Sequence, residues 1–291
     1  MKLVVAATPA VAIPTIELLK EDHEISLVSQ PDAPAGRGKL LRPTPISERY
    51  QAVAKPVTEE ELVVFLKDSD LLITIGYGRI LKSETLSIPK FGGINLHFSL
   101  LPKWRGAAPV QRAIESGDKV TGVTVFQMDS GMDTGPVWIQ DEFEIPIGFT
   151  SEELFEALAP IGASAVKRTL VKISNGEKPL PQSGVASIAR KISKSECRIN
   201  WQQSGSEIIR KVRAFGGNPG ITATIRGESL KINAIRASNN SMPAGELNLR
   251  GEVGTGTTAV QLLNVTPAGK RPMDVKDWLN GFKVRPGEKF E

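Results

Sequence analysis

An asparagine and a histidine two residues apart, Asn95 and His97, lead into the turn-rich stretch SLLPKWRGAAP, and Asp133 lies downstream in the glycine-rich MDSGMDTG. An amide, an imidazole and a carboxylate are the groups that a polar transfer reaction uses. A carbonyl under attack gathers negative charge on its oxygen, and donors aimed there lower the barrier. Residues two apart on a strand point to the same face, so Asn95 and His97 can act together. Asp133 can orient His97, raise its basicity or help to carry a proton from an attacking amine. The bare residues leave other roles open. An asparagine can satisfy a buried backbone group, a histidine can be a hydrogen-bonded core residue, and an aspartate beside Gly131 and Gly135 can stabilise a turn. The chain has only two histidines, which makes His97 the place to look for proton chemistry.

Strands must carry these groups, and the hydrophobic pattern supplies them. Lys2 to Ala7 is an apolar run of the kind buried on both faces of a parallel sheet. Thr8-Pro9 breaks it, Pro14 to Leu19 reads as a helix opened by proline, and Glu24 to Ser29 as a second strand. Asp70 to Ile75 and Gly93 to His97 are further strands, with Ala108 to Ile114 helical between the latter and an alternating strand at Val120 to Met128. Gly135 to Ile139 predicts one more strand. Strands separated by helices imply an α/β fold, a twisted and mostly parallel sheet whose ligands gather beyond the strand C-termini. Ser151 to Ser174 predicts a long helix with one broad apolar face. NGEKPLPQSG after it is rich in turn formers and is expected to lead away from the main core. Short β-rich runs from about residue 220 onward indicate a small β-barrel-like second domain. The expected boundaries are 1–190 for the first domain, 191–205 for the linker and start of the second, and 206–291 for the second.

Composition narrows the classes. At 291 residues, 40% hydrophobic and 23% charged, the chain suits a folded protein with a main and a smaller domain. A net charge of +4 permits a polyanionic partner without requiring one. A single cysteine, Cys197, rules out an internal disulfide framework and a cysteine-rich metal site, and no metal is expected. No apolar run reaches the roughly 20 residues that span a bilayer, so no membrane partner is expected and the compartment is read as cytoplasmic. AATPAVAIP after the first strand contains no glycine, so the dinucleotide fingerprint is absent.

GGINLHFSLLPKWRGAAPVQRAI and TGVTVFQMDSGMDTGPV strongly resemble the 10-formyltetrahydrofolate-dependent formyltransferases, and the resemblance runs on to TPAGKRPMDVKDWLNGFKVRPGEKF. The chain is most similar to the branch of that family that formylates methionyl-tRNA. The resemblance implies a Rossmann-like catalytic sheet and an OB-like second domain that binds tRNA. It implies Asn95, His97 and Asp133 as the catalytic trio, 10-formyltetrahydrofolate as the formyl donor and initiator methionyl-tRNA as the acceptor. A monomer is expected. The loop holding Tyr77, Gly78 and Ile80 is similar to the one beside the pterin in that family, and Ser99, Leu100, Leu101 and Pro102 are expected to shape the same cleft.

QPDAPAGRGKLLR resembles the family's acceptor-stem loop, with Arg37, Lys39 and Arg42 as candidate phosphate contacts. Trp104 and Arg105 are further substrate-binding candidates, and Arg210, Lys211, Arg213, Lys270 and Arg271 are basic residues that could follow an RNA backbone. Three features depart from the family pattern: the missing glycine at Ala7, a short segment between Arg42 and Asp70, and Gly216 to Gly220 in place of an aromatic, proline-rich turn. A folate-dependent formyltransferase acting on an amino sugar would keep the trio without needing the basic loop. A formyltetrahydrofolate hydrolase, or an RNA-binding module that has lost its chemistry, are the other readings.

Overall fold

The structure is a computed structural model that describes residues 1–35 and 40–291. Contacts divide it into two units, Met1–Pro109 with Val120–Ile145 and Leu154–Ala189, and Val110–Lys119 with Pro146–Glu153 and Arg190–Glu291.

In the first unit β1 (Lys2–Ala7) is buried from Leu3 onward, as its unbroken apolar run requires. A 3-10 turn at Ala10–Ala12 replaces a glycine loop and feeds α1 (Ile13–Lys20), which has proline in its first turn. Then come β2 (Glu24–Val28) and the hairpin β3 (Ala33–Ala35) and β4 (Leu40–Arg42). Arg37 and Lys39 lie outside the described residues. The short segment after Arg42 still holds three elements: α2 (Pro45–Arg49), β5 (Val53–Ala54) and α3 (Glu59–Leu66). Its cost is an edge strand of two residues. Both helices start on threonines whose hydroxyls accept from backbone N–H groups, Ser47 on Thr44 and Glu61 on Thr58.

The buried strand β6 (Leu71–Ile75), the short α4 (Ser83–Leu86) and β7 (Gly93–His97) follow, then the two-residue β8 (Arg105–Gly106) and α5 (Pro109–Ser116). The paired strands β9 (Val120–Gln127) and β10 (Val137–Glu144) lead to α6 (Ser151–Ser174) and β11 (Ile188–Ala189). The sheet order is β10-β9-β7-β6-β1-β2-β5. Pairings from β5 to β7 are parallel, and those of β9 with β7 and β10 are antiparallel. On one face Leu62 and Leu66 of α3 pack with Val4, Ala6, Val28 and Leu72. Against β7, Gly162 of α6 has no room for a side chain: an added Cβ would lie 2.7 Å from Leu96 Cδ2. Leu96 faces opposite to Asn95 and His97, so this close approach backs the strand that carries them.

One expectation is corrected. The segment after α6 does not leave the core: Leu180 pairs with Val137 at the start of β10, and Ile188–Ala189 pair in parallel with Arg105–Gly106. The turn residues that suggested an exit instead let the chain double back along the end of the sheet.

The second unit contains α7 (Gly205–Phe215), opened by a capping box in which Ser204 and Glu207 satisfy each other's backbone N–H. After it come β12 (Ile221–Ile225), β13 (Glu228–Ala237), β14 (Glu252–Val253), β15 (Val260–Pro267), β16 (Met273–Asp274) and α8 (Val275–Phe282). The strands form an antiparallel sheet curled into a half-barrel. Within the same unit Arg112 reaches Glu115 at 2.7 Å and Glu196 at 2.8 Å, and this guanidinium, with the hydrogen bonds from Ser193, pulls the Glu196 carboxyl down to about 2. Among the described residues no helix is long and apolar enough to cross a membrane.

Phe215 is fully buried at the end of α7. Phe215→Ala is expected to destabilise the second unit by about 3–5 kcal/mol, and Ser204→Ala by about 1 kcal/mol. Denaturant melts check both, and an unchanged midpoint for Phe215→Ala would contradict the packing described.

Candidate active site

The register across the sheet assembles the site. Thr74 pairs with Asn95 and Asn95 with Phe126, while His97 pairs with Thr124. Thr74 Oγ1 donates to Asn95 Oδ1 at 2.8 Å, which turns the amide so that its Nδ2 hydrogens remain for another acceptor.

His97 is 6% exposed. Its Nε2 lies 2.9 Å from the Trp104 carbonyl oxygen. A carbonyl only accepts, so Nε2 carries the proton, and Nδ1 is the nitrogen turned toward Asp133 Oδ2 at 3.6 Å. Burial holds the imidazole below its ordinary value, against the Asp133 charge and the Trp104 carbonyl, which both favour the cation. The neutral ring therefore presents a lone pair beside a carboxylate. A donor placed between the two satisfies both.

Two left-handed residues flank this pair, Trp104 at φ 63° and Asp133 at φ 56°. For side chains other than glycine such backbone is strained by about 1–3 kcal/mol and persists where surrounding contacts enforce it. The enforcing contacts are visible. Trp104 N–H donates to Ser187 Oγ at 2.9 Å, and Gly106 N–H donates to Asp133 Oδ2 at 2.7 Å. Gly106 itself has φ 119°, and an added Cβ would meet the Ala189 carbonyl at 2.7 Å. Only glycine fits there.

The loop after β7 is knit inward: Ser99 Oγ donates to the Lys103 carbonyl at 2.6 Å, and Thr124 Oγ1 donates to the Ser99 carbonyl at 2.6 Å. Ser99, Leu101 and Pro102 are buried and Leu100 is half-buried. At the end of β6 the Tyr77 side chain sits in the core, and its carbonyl accepts from Gln30 Nε2 at 2.9 Å and Thr8 Oγ1 at 3.2 Å. Gly78 and Ile80 are exposed beside it, as is Arg42 on β4. Trp104 and Arg105 are half-buried, and Arg105 is engaged by Gln182. In the second unit Arg210 Nε donates to the Glu115 carbonyl at 3.0 Å, while Lys270 and Arg271 are exposed. Thr74, Gln182 and Ser187 carry no signal in spacing or composition that marks them as part of the site.

Residues 1–170 match the family model for formyl transferase, and residues 191–283 match the one for the formyl transferase C-terminal domain. An α/β sheet with a buried histidine beside a half-buried aspartate at its end, followed by a half-barrel unit, is thus the two-part plan of a formyltransferase. The methionyl-tRNA formyltransferase of Jannaschia sp. is 38% identical over 302 residues, covering 100% of both chains. That of Streptomyces griseus is 39% identical over 309 residues, covering 99% of both. The chain belongs to the methionyl-tRNA formyltransferase family. Among solved structures, HypX from Aquifex aeolicus in complex with tetrahydrofolic acid has the same fold, with a TM-score of 0.71 and 19% identity over 97% of this chain and 47% of that one.

The depressed His97 titration has a consequence for stability. The unfolded chain takes up this proton at higher pH than the folded chain, so stability falls as pH drops from the ordinary imidazole value of 6.5 through the folded one. Calorimetric melts across that window are expected to show His97→Gln losing less stability on acidification than the parent protein. Equal slopes would contradict the buried, neutral imidazole.

Proposed function

We propose that this chain transfers the formyl group of 10-formyltetrahydrofolate to the α-amine of initiator methionyl-tRNA, giving N-formylmethionyl-tRNA. The observation that carries the reading is the pairing of His97 Nδ1 with the Asp133 carboxylate in a water-poor setting, one strand position pair from a free asparagine amide. The attacking amine fits between an imidazole lone pair and a carboxylate, since it has hydrogens to give to both. As the amine nitrogen bonds to the formyl carbon, the carbonyl electrons move to oxygen, and Asn95 Nδ2 donates to the resulting oxyanion. The amine proton passes to His97 Nδ1, where the Asp133 charge stabilises the imidazolium. Collapse of the tetrahedral adduct breaks the bond to the folate nitrogen, which takes up the proton held at His97 Nδ1 as it leaves, returning the imidazole to its neutral form. The folate supplies an activated formyl group, and Gly78, Ile80 and Leu100 offer the more open positions of the loops assigned to it.

The proposed division places catalysis in residues 1–190, a linker at 191–205 and tRNA binding in 206–291, with a monomer acting in the cytoplasm. Arg37, Lys39 and Arg42 are assigned to the acceptor stem, with Trp104 and Arg105 beside the substrate and the basic residues of the second unit along the RNA backbone.

Single replacement of Asn95, His97 or Asp133 by alanine is expected to lower single-turnover formyl transfer by about 100-fold or more. Folded variants with near-normal rates would refute the assignment. Incubation of the protein and 10-formyltetrahydrofolate with initiator and elongator Met-tRNA, read by mass, is expected to give formylated initiator selectively. Product from an amino sugar, and from neither RNA, would reverse the choice of acceptor.

A further inference from the structure

Gln182 is a side chain whose four hydrogen-bonding positions are all used. Its Nε2 donates to the carbonyls of Asp133 at 2.8 Å and Gly135 at 2.9 Å. Its Oε1 accepts from Arg105 Nε at 3.2 Å and Nη2 at 2.6 Å. The amide has only one sensible orientation, because carbonyls demand the NH2 end and a guanidinium demands the oxygen. Gln182 thereby ties the backbone of left-handed Asp133 to Arg105, whose neighbour Gly106 donates its N–H to the Asp133 carboxylate. A few residues on, Ser187 Oγ accepts from Trp104 N–H, and the Ser187 carbonyl accepts from Arg105 N–H at 2.9 Å. Trp104 supplies the carbonyl that sets the His97 tautomer. One strap, from Gln182 to Ala189, therefore braces both partners of the imidazole.

We propose that Gln182 is a positioning residue for formyl transfer, holding the Asp133 carboxylate against His97 Nδ1. The proposal rests on the catalytic reading of the trio. Gln182 touches no reacting atom in this arrangement and acts through Asp133. Its loss frees a strained turn to relax, and a shift of about 1 Å in a catalytic group costs on the order of 100-fold in rate.

Gln182→Glu tests this well, because it keeps the acceptor for Arg105 and removes both donations to the Asp133 loop. In the full-length protein it is expected to slow single-turnover formyl transfer by about 10- to 100-fold, with the KM for 10-formyltetrahydrofolate little changed. The decisive measurement is a cycle with Asp133→Ala. If Gln182 acts through Asp133, adding Gln182→Glu to Asp133→Ala costs little further rate, since coupled residues are not additive. The full single-variant loss reappearing in the double variant would overturn the proposal, as would a parental rate for Gln182→Glu alone. Parental turnover by Asp133→Ala would instead overturn the reading of the trio itself, and the positioning role with it. Should Gln182→Glu melt early, Gln182→Met keeps the volume without the hydrogen bonds and is read in the same cycle.

Discussion

A buried neutral imidazole has one N–H and one lone pair, and the first unit is organised to fix which nitrogen carries which. Removing His97 from water penalises its cation and leaves a donor edge and a lone-pair edge whose surroundings the protein sets. One edge meets the Trp104 carbonyl and the other faces the Asp133 carboxylate. Both Trp104 and Asp133 present these groups from left-handed backbone. The strain is held by hydrogen bonds from outside each turn, through Ser187, Gly106 and Gln182.

The same arrangement explains why the segment after α6 returns to the sheet. A loop that only connected two units would need no defined path. Here each contact along it has a counterpart near the histidine: Leu180 at the start of β10, Gln182 on the Asp133 loop, Ser187 on Trp104 and Ala189 on Gly106. The sheet contributes the rigid half of the frame. Central β7 is flanked by β6 and β9 and backed by α6 at Gly162, so Asn95 and His97 are held to the register of their neighbours. The loops carrying Trp104 and Asp133 thus become the second half of a site whose first half is a buried strand.

Much of this was legible before the fold was seen, for identifiable reasons. β1 from Leu3 onward is an unbroken apolar run and β6 is apolar but for Thr74, and burial on both faces of a parallel sheet leaves that mark in a sequence. Asn95 and His97 share a face by the alternation of a strand alone. The segment between Arg42 and Asp70 is visibly short, and it holds two helices around an edge strand of only two residues. The strap is not legible in the sequence, because PLPQSG has the composition of an exit loop and nothing local distinguishes a loop that leaves from one that folds back. Thr74 was invisible for a related reason: a threonine in a β-rich run is ordinary, and its role depends on which residue the neighbouring strand places opposite it.

Residue type and local pattern by themselves determined β1, β2, β6, β7 and β9, the long helix, the β-rich second unit and the chemical groups available for transfer, because burial and backbone periodicity are properties of short stretches. Only the tertiary structure decided which imidazole nitrogen carries the proton, which end of the Asn95 amide is free, and that Gln182 and Ser187 serve the site. Those outcomes depend on hydrogen-bond partners separated by 7 to 83 positions along the chain, and a partner at such a distance has no imprint on the residues next to it.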